Sequence, residues 1–163
     1  WQIAIEEGCD FIHLGQEDLD DADLAAIRRA GLRLGVSTHD DEELERGLST
    51  DPTYIALGPV YPTILKKMKW TEQGLDKVTE WKARVGETPL SAIGGMTVER
   101  AAGALEAGAD LISAVTDITL NDDPEARMRA WLEATGCAAT LASSSCSKWA
   151  KRGRNASPPP LGG

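Results

Sequence analysis

Five short apolar runs recur along the chain, each followed by an amphipathic stretch, and this alternation limits the possible folds more than any other feature. The runs are "FIHL" (11–14), "LRLGVST" (32–38), "YIALG" (54–58), "PLSAIGG" (89–95) and "LISAVT" (111–116). Segments this short and this apolar read as strands buried on both faces. Between them stand helix patterns: "DADLAAIRRAG" (21–31), "DDEELERGL" (40–48), "GLDKVTEWKARVG" (74–86), "TVERAAGALEAG" (97–108) and a last one over 123–136. Gly31, Gly86, Gly108 and Gly136 follow helices, while Asp40, Thr97 and Asp123 suit N-caps. Strands alternating with helices predict a parallel sheet with right-handed crossovers. An open doubly wound sheet and a (β/α)8 barrel both meet that description. Five strands complete a small open sheet but not a barrel. The opening "WQIAIEEG" nevertheless reads as the end of a helix with no strand before it, so the chain is expected to be cut at its start.

Composition bounds the function class. With 163 residues, 42% hydrophobic and 26% charged, the chain has the balance of one globular domain, assigned to residues 1–136. It lacks any apolar run of about 18 residues that would span a membrane, and it lacks a signal-peptide pattern at its start. Cys9, Cys137 and Cys146 have no metal-site spacing, so a reducing, cytoplasmic setting is expected. All 26 acidic residues precede Cys137, leaving residues 1–136 at about −13. Such a body argues against nucleic acid, whose phosphates need a basic face. Residues 137–163 carry only basic charge and end in "SPPPLGG"; they are expected to be a disordered Ser/Pro/Gly-rich tail.

Each apolar run ends in polar or glycine residues of a different kind. After the first comes Gly15-Gln16-Glu17-Asp18, and the second ends in Ser37, Thr38 and His39. The third leads into "GPVYPTILKKMKW" (58–70), the fourth into Gly94-Gly95 and the fifth into Thr116-Asp117. One such end is ordinary helix capping, but five on one rim of a parallel sheet mark a site. Lys66, Lys67 and Lys69 form the densest basic cluster of an acidic body, in a loop long enough to bind a ligand. Gly94-Gly95 either admits backbone amides to an anion or serves a tight turn sterically. His13 points to the opposite face from Ile12 and Leu14, and both a structural and a catalytic role are open to it. Cys9 reads as a small apolar filler, and Trp70, Trp81 and Trp131 as one loop residue and two helix-face residues with no stacking array.

Taken in order, "HLGQEDL", "LGVSTHD", "YIALGPVYPT", the lysine that follows, "AIGGM" and "GADLISAVT" resemble the thiamine-phosphate synthase family. The resemblance covers residues 1 to about 136. It implies a (β/α)8 TIM barrel of which these are the fourth to eighth βα units, an N-terminally truncated fragment. It implies a transferase that joins hydroxymethylpyrimidine diphosphate to hydroxyethylthiazole phosphate, giving thiamine phosphate and pyrophosphate with Mg²⁺. Asp18 matches the aspartate that helps hold the metal, with Glu17 beside it facing solvent or supporting it. Ser37 matches the serine that contacts the pyrimidine diphosphate, and Lys66 the lysine at the leaving pyrophosphate. Thr63, Ile64 and Leu65 match the segment that holds the thiazole phosphate, with Gly95, Val115 and Thr116 completing that site through backbone amides. The implied reaction is dissociative: the bond to diphosphate breaks first, and the thiazole nitrogen captures the pyrimidine-stabilised cation.

Three departures bear on activity. The Asn-Asp pair and the Gln-Arg-Lys cluster of the family's earlier strands have no counterpart in this chain. Leu65 stands where the family has a hydroxyl residue before the lysine. Asp117 puts a carboxylate beside the implied phosphate site, which is repulsive unless it points away. The chain itself is therefore expected to be weakly active or inactive, with open sheet edges at its first and last strands. A thiazole tautomerase relative and a non-catalytic phosphate-binding barrel fragment are the rival readings, and homo-oligomerisation is left open.

Overall fold

The computed structural model describes residues 1–64 and 70–136. Five parallel strands form one sheet in chain order: β1 (Phe11–Leu14), β2 (Arg33–Thr38), β3 (Tyr54–Leu57), β4 (Leu90–Ile93) and β5 (Leu111–Ser113). Every neighbour pair is parallel, so all carboxyl ends share one rim. Sequential parallel pairing with a helical crossover each time is the local arrangement of a (β/α)8 barrel rather than of a doubly wound sheet, whose strand order reverses. Among the described residues β1 and β5 each pair on one side only.

The helices are α1 (Gln2–Glu6), α2 (Gln16–Asp21), α3 (Leu24–Arg29), α4 (Asp41–Ser49), α5 (Gly74–Val85), α6 (Val98–Glu106), α7 (Thr116–Thr119) and α8 (Pro124–Ala134). Asp40 and Asp123 cap α4 and α8 as expected, their carboxylates accepting the N–H groups of Glu43 and Ala126. Thr97 occupies the N-cap of α6 without a side-chain bond to the helix backbone. The helix expected over 21–31 forms as the shorter α3, and the unexpected α2 precedes it. Ala22 is extended at φ −82° and ψ 129°, and the Asp23 carboxylate caps α3 by accepting the Ala26 N–H at 2.8 Å. A second short helix, α7, replaces the predicted end of the last strand.

The core lies between the sheet and its helices. Leu34, Val36, Ile55, Leu57, Leu90 and Ala92 project from the strands onto Ile27, Leu44, Val78, Trp81 and the small pair Ala101 and Ala104. Val78, Trp81 and Val85 recur at three- and four-residue spacing, which puts one face of α5 against the sheet. Burying each large aliphatic side chain contributes roughly 1.5–3 kcal/mol. The opposite, concave face departs from the expected two-sided burial: it carries His13, Arg33, Ser37, Tyr54, Ser91 and Ser113, with His13 and Arg33 exposed. Cys9 is likewise exposed, in the turn between α1 and β1, and fills no core space. Trp81 and Trp131 are the expected helix-face residues, at 0% and 6% exposure. The tail proposed for 137–163 lies outside the described residues.

Candidate active site

A cavity of about 360 Å³ opens at the carboxyl ends of β1 to β4. It brings together Asp18 from the β1–α2 junction, Ser37 from the end of β2 and Thr63 from the β3–α5 connection. Glycine at 15 turns the chain from β1 directly into α2, which sets Gln16, Glu17 and Asp18 in one helical turn at the strand end. Asp18 sits on the third residue of α2, and its Oδ2 accepts the Gly15 N–H at 2.9 Å. That bond fixes the carboxylate at the helix start, where the positive end of the backbone dipole favours it. Among the described residues its second oxygen has no protein partner. Glu17 is exposed and also lines the cavity.

Four further lining residues, Gln16, His39, Glu43 and Trp70, are given no role by the resemblance. Gln16 donates from Nε2 to the Ser37 carbonyl at 2.7 Å, tying α2 to the end of β2. Its Oε1 is buried with no partner among the described residues. Glu43 holds His39 twice, accepting its N–H at 2.8 Å and meeting its Nδ1 at 2.7 Å. Trp70 stacks on the His39 ring, centroids 4.1 Å apart and planes 13° from parallel, and donates from Nε1 to Asp40 at 3.3 Å. The Asp40 carboxyl is held below its ordinary range chiefly by the Glu43 N–H. Trp70, read from the sequence only as a loop residue, thus pins the far end of the β3–α5 connection over the start of α4. The polar run "STHDDEE" carried a signal for His39 and Glu43, whereas nothing local marked Trp70.

Ser37 Oγ lies 2.7 Å from His13 Nε2, and Tyr54 Oη lies 2.7 Å from His13 Nδ1. Partial desolvation lowers the His13 pKa, with the Asp18 charge opposing, and desolvation raises that of Tyr54. Both shifts favour the uncharged imidazole and the protonated phenol.

Gly94 and Gly95 have φ of 94° and 60°. The loop after β3 crosses directly over them: Val60 N–H donates to the Ile93 carbonyl and Tyr61 N–H to that of Gly94. A Cβ on Gly94 would meet Pro59 Cα at 2.6 Å, and one on Gly95 would collide with the Pro62 carbonyl. Both glycines are thus required by a close crossing of two site loops. Arg100 bonds the Gly95 carbonyl and lies over the Tyr61 ring at 4.4 Å, bracing the same crossing. Gly94 lines the cavity and Gly95 follows it, while Val115 and Thr116, at the start of α7, do not line it. Ile64 is 85% exposed, and Leu65 and Lys66 lie outside the described residues.

Asp117 points away from this rim. Its carboxylate accepts from Arg127 Nε at 2.8 Å and Nη2 at 2.9 Å, and from Trp131 Nε1 at 2.8 Å. The Arg127 guanidinium holds it below the ordinary carboxylate range. The departure that looked repulsive in sequence is a clamp that fastens α8 to α7.

The described residues hold no group of three or more His, Cys, Asp or Glu side chains placed around a metal ion. Asp18, with one oxygen unpartnered beside the cavity, fits a hard cation whose other ligands are water and phosphate oxygens.

A parallel sheet in chain order, with a cavity at its carboxyl rim, defines an α/β fold of barrel type. The chain belongs to the thiamine monophosphate synthase family, whose model matches residues 1–118. It is 66% identical over 135 residues to thiamine-phosphate synthase of Rhizobium etli, covering 83% of this chain and 66% of that protein. It is 49% identical over 131 residues to the protein of that name from Neisseria meningitidis serogroup A, covering 80% of this chain and 64% of that one. The chain therefore spans just under two thirds of the length of these relatives. Thiamine phosphate pyrophosphorylase from Pyrococcus furiosus superposes with a TM-score of 0.71 at 23% identity, over 83% of this chain and 63% of that one. A 3-hexulose-6-phosphate synthase superposes at 0.61 and 17% identity, over 81% of this chain and 65% of that one. These likenesses establish the barrel-type fold.

Proposed function

We propose that this chain supplies the metal, pyrimidine-diphosphate and thiazole-phosphate contacts of a thiamine-phosphate synthase. The substrates are the small molecules hydroxymethylpyrimidine diphosphate and hydroxyethylthiazole phosphate, the setting is the cytoplasm, and the domain is residues 1–136. The observation that carries the reading is the convergence of Asp18, Ser37 and Thr63 on one cavity in a chain of this family.

Mg²⁺, when bound, would neutralise charge growing on the departing pyrophosphate. Asp18 would hold it through the oxygen left free by the Gly15 bond. Ser37 would donate to the pyrimidine diphosphate, and Lys66 would face the leaving pyrophosphate as a point charge. Thr63, Ile64 and Leu65 would carry the thiazole phosphate, aided by the amides of Gly95, Val115 and Thr116. This division needs no protein nucleophile, because the leaving group departs before the thiazole nitrogen attacks. Asp117, turned onto Arg127, leaves the phosphate unopposed.

Incubation of the chain with both substrates and Mg²⁺ tests the reading. Thiamine phosphate and pyrophosphate should appear in equal amounts, only with the metal, and more slowly than with the longer Rhizobium etli relative. Thiamine phosphate formed equally well without the metal, or no calorimetric binding of either substrate, would overturn it.

A further inference from the structure

We infer that Tyr54 and His13 are positioning residues that hold the Ser37 hydroxyl as a hydrogen-bond donor aimed at an acceptor atom of the pyrimidine diphosphate. This rests on the proposed role of Ser37. The three side chains form one relay, Tyr54 Oη to His13 Nδ1 at 2.7 Å and His13 Nε2 to Ser37 Oγ at 2.7 Å. A neutral imidazole donates from one nitrogen and accepts at the other, so the relay runs in one of two directions.

The chemistry of the two hydroxyls chooses between them. A phenol is the stronger acid and the weaker acceptor, because its lone pair is delocalised into the ring. An aliphatic hydroxyl is the better acceptor. Tyr54 therefore donates to Nδ1, the imidazole carries its proton on Nε2, and Nε2–H donates to Ser37 Oγ. With its oxygen already accepting from His13, Ser37 has its own proton free for the cavity it lines. The reverse direction would consume that proton on Nε2 and leave Ser37 facing an anion with lone pairs alone.

The sheet builds the relay on purpose-made backbone. His13, Gly35 and Tyr54 are directly paired across β1, β2 and β3. A Cβ at 35 would collide with the Tyr54 ring. Glycine lets Tyr54 lie across β2 and stack on His13, centroids 5.4 Å apart and planes 19° from parallel.

The first test needs no ligand. The chain has two histidines, so long-range proton–nitrogen spectra of ¹⁵N-histidine-labelled protein, with His39→Gln for assignment, report His13 alone. Nε2 should carry the proton in wild type, and Tyr54→Phe should abolish that fixed tautomer. A proton on Nδ1, or a tautomer indifferent to Tyr54→Phe, overturns the inference.

The second test measures pyrimidine diphosphate binding. His13→Ala should weaken it about tenfold, the worth of one hydrogen bond to a charged group. His13→Gln, which keeps an N–H near the Nε2 position, should restore most of the loss. On a Ser37→Ala background His13→Ala should cost less than about twofold, since its partner is gone. Full loss on that background overturns the inference. Failure of the wild type to bind would instead sink the role proposed for Ser37, while the tautomer result stands independently.

Discussion

Replacing Asp117 with alanine separates two readings of one carboxylate. In the structure it accepts from Arg127 and from the Trp131 indole N–H, whose residue is only 6% exposed. Arg127 keeps Glu99 as a partner at 3.0 and 3.1 Å when Asp117 is lost, so the main cost falls on the indole. A buried donor left without an acceptor costs roughly 1–3 kcal/mol. With a denaturation slope of about 2 kcal/mol/M in urea, that is a drop in midpoint of roughly 0.5–1.5 M. Asp117→Asn keeps a carbonyl for the indole and should lose less than half as much. The assay is urea unfolding followed by tryptophan fluorescence, paired with calorimetric titration of thiazole phosphate. Affinity for the phosphate should stay within about twofold of wild type, because the carboxylate faces α8. An unchanged midpoint together with markedly tighter phosphate binding would place the carboxylate at the phosphate site and refute the reasoning.

Two further outcomes follow from the same geometry. Gly95→Ala should destabilise the fold, by roughly 1–2 kcal/mol for the left-handed backbone and roughly 1–3 kcal/mol for the collision with the loop above it; thermal melting checks this. Glu99 is held down from 4.5 to about 2, first by Arg127 and then by its own N–H and the Thr97 hydroxyl. A carboxyl whose folded-state value is depressed contributes fully above its unfolded value, and that contribution is lost as pH falls from about 4.5 toward 2. Midpoints measured across that window should fall more steeply in wild type than in Glu99→Gln.

How much of this was readable in the chain depends on distance along it. The strands and the helices α4, α5, α6 and α8 follow from local periodicity and caps such as Asp40, and they match the expected segments to within a few residues. Helix α2 does not, because "QEDLDD" has a single buried residue, Leu19, and so no apolar period to detect. Asp18, Ser37 and Thr63 were named through the family resemblance that the ordered strand-end motifs carry, and all three line the cavity. The His13–Ser37–Tyr54 relay was not, since it depends on the register of three strands and on an absent side chain at Gly35. The Gly94-Gly95 pair was legible as glycine but not as a crossing beneath Pro59 and Pro62. Asp117 was visible as a charge in the wrong place; the ten residues to Arg127 and fourteen to Trp131 hid the reason it belongs there.

The most direct test of the account is a calorimetric titration of hydroxymethylpyrimidine diphosphate into the chain, with and without Mg²⁺, in wild type and in Asp18→Asn. The account predicts binding that requires the metal and weakens at least about tenfold when one carboxylate ligand becomes an amide. Binding that is indifferent both to Mg²⁺ and to Asp18→Asn would contradict it.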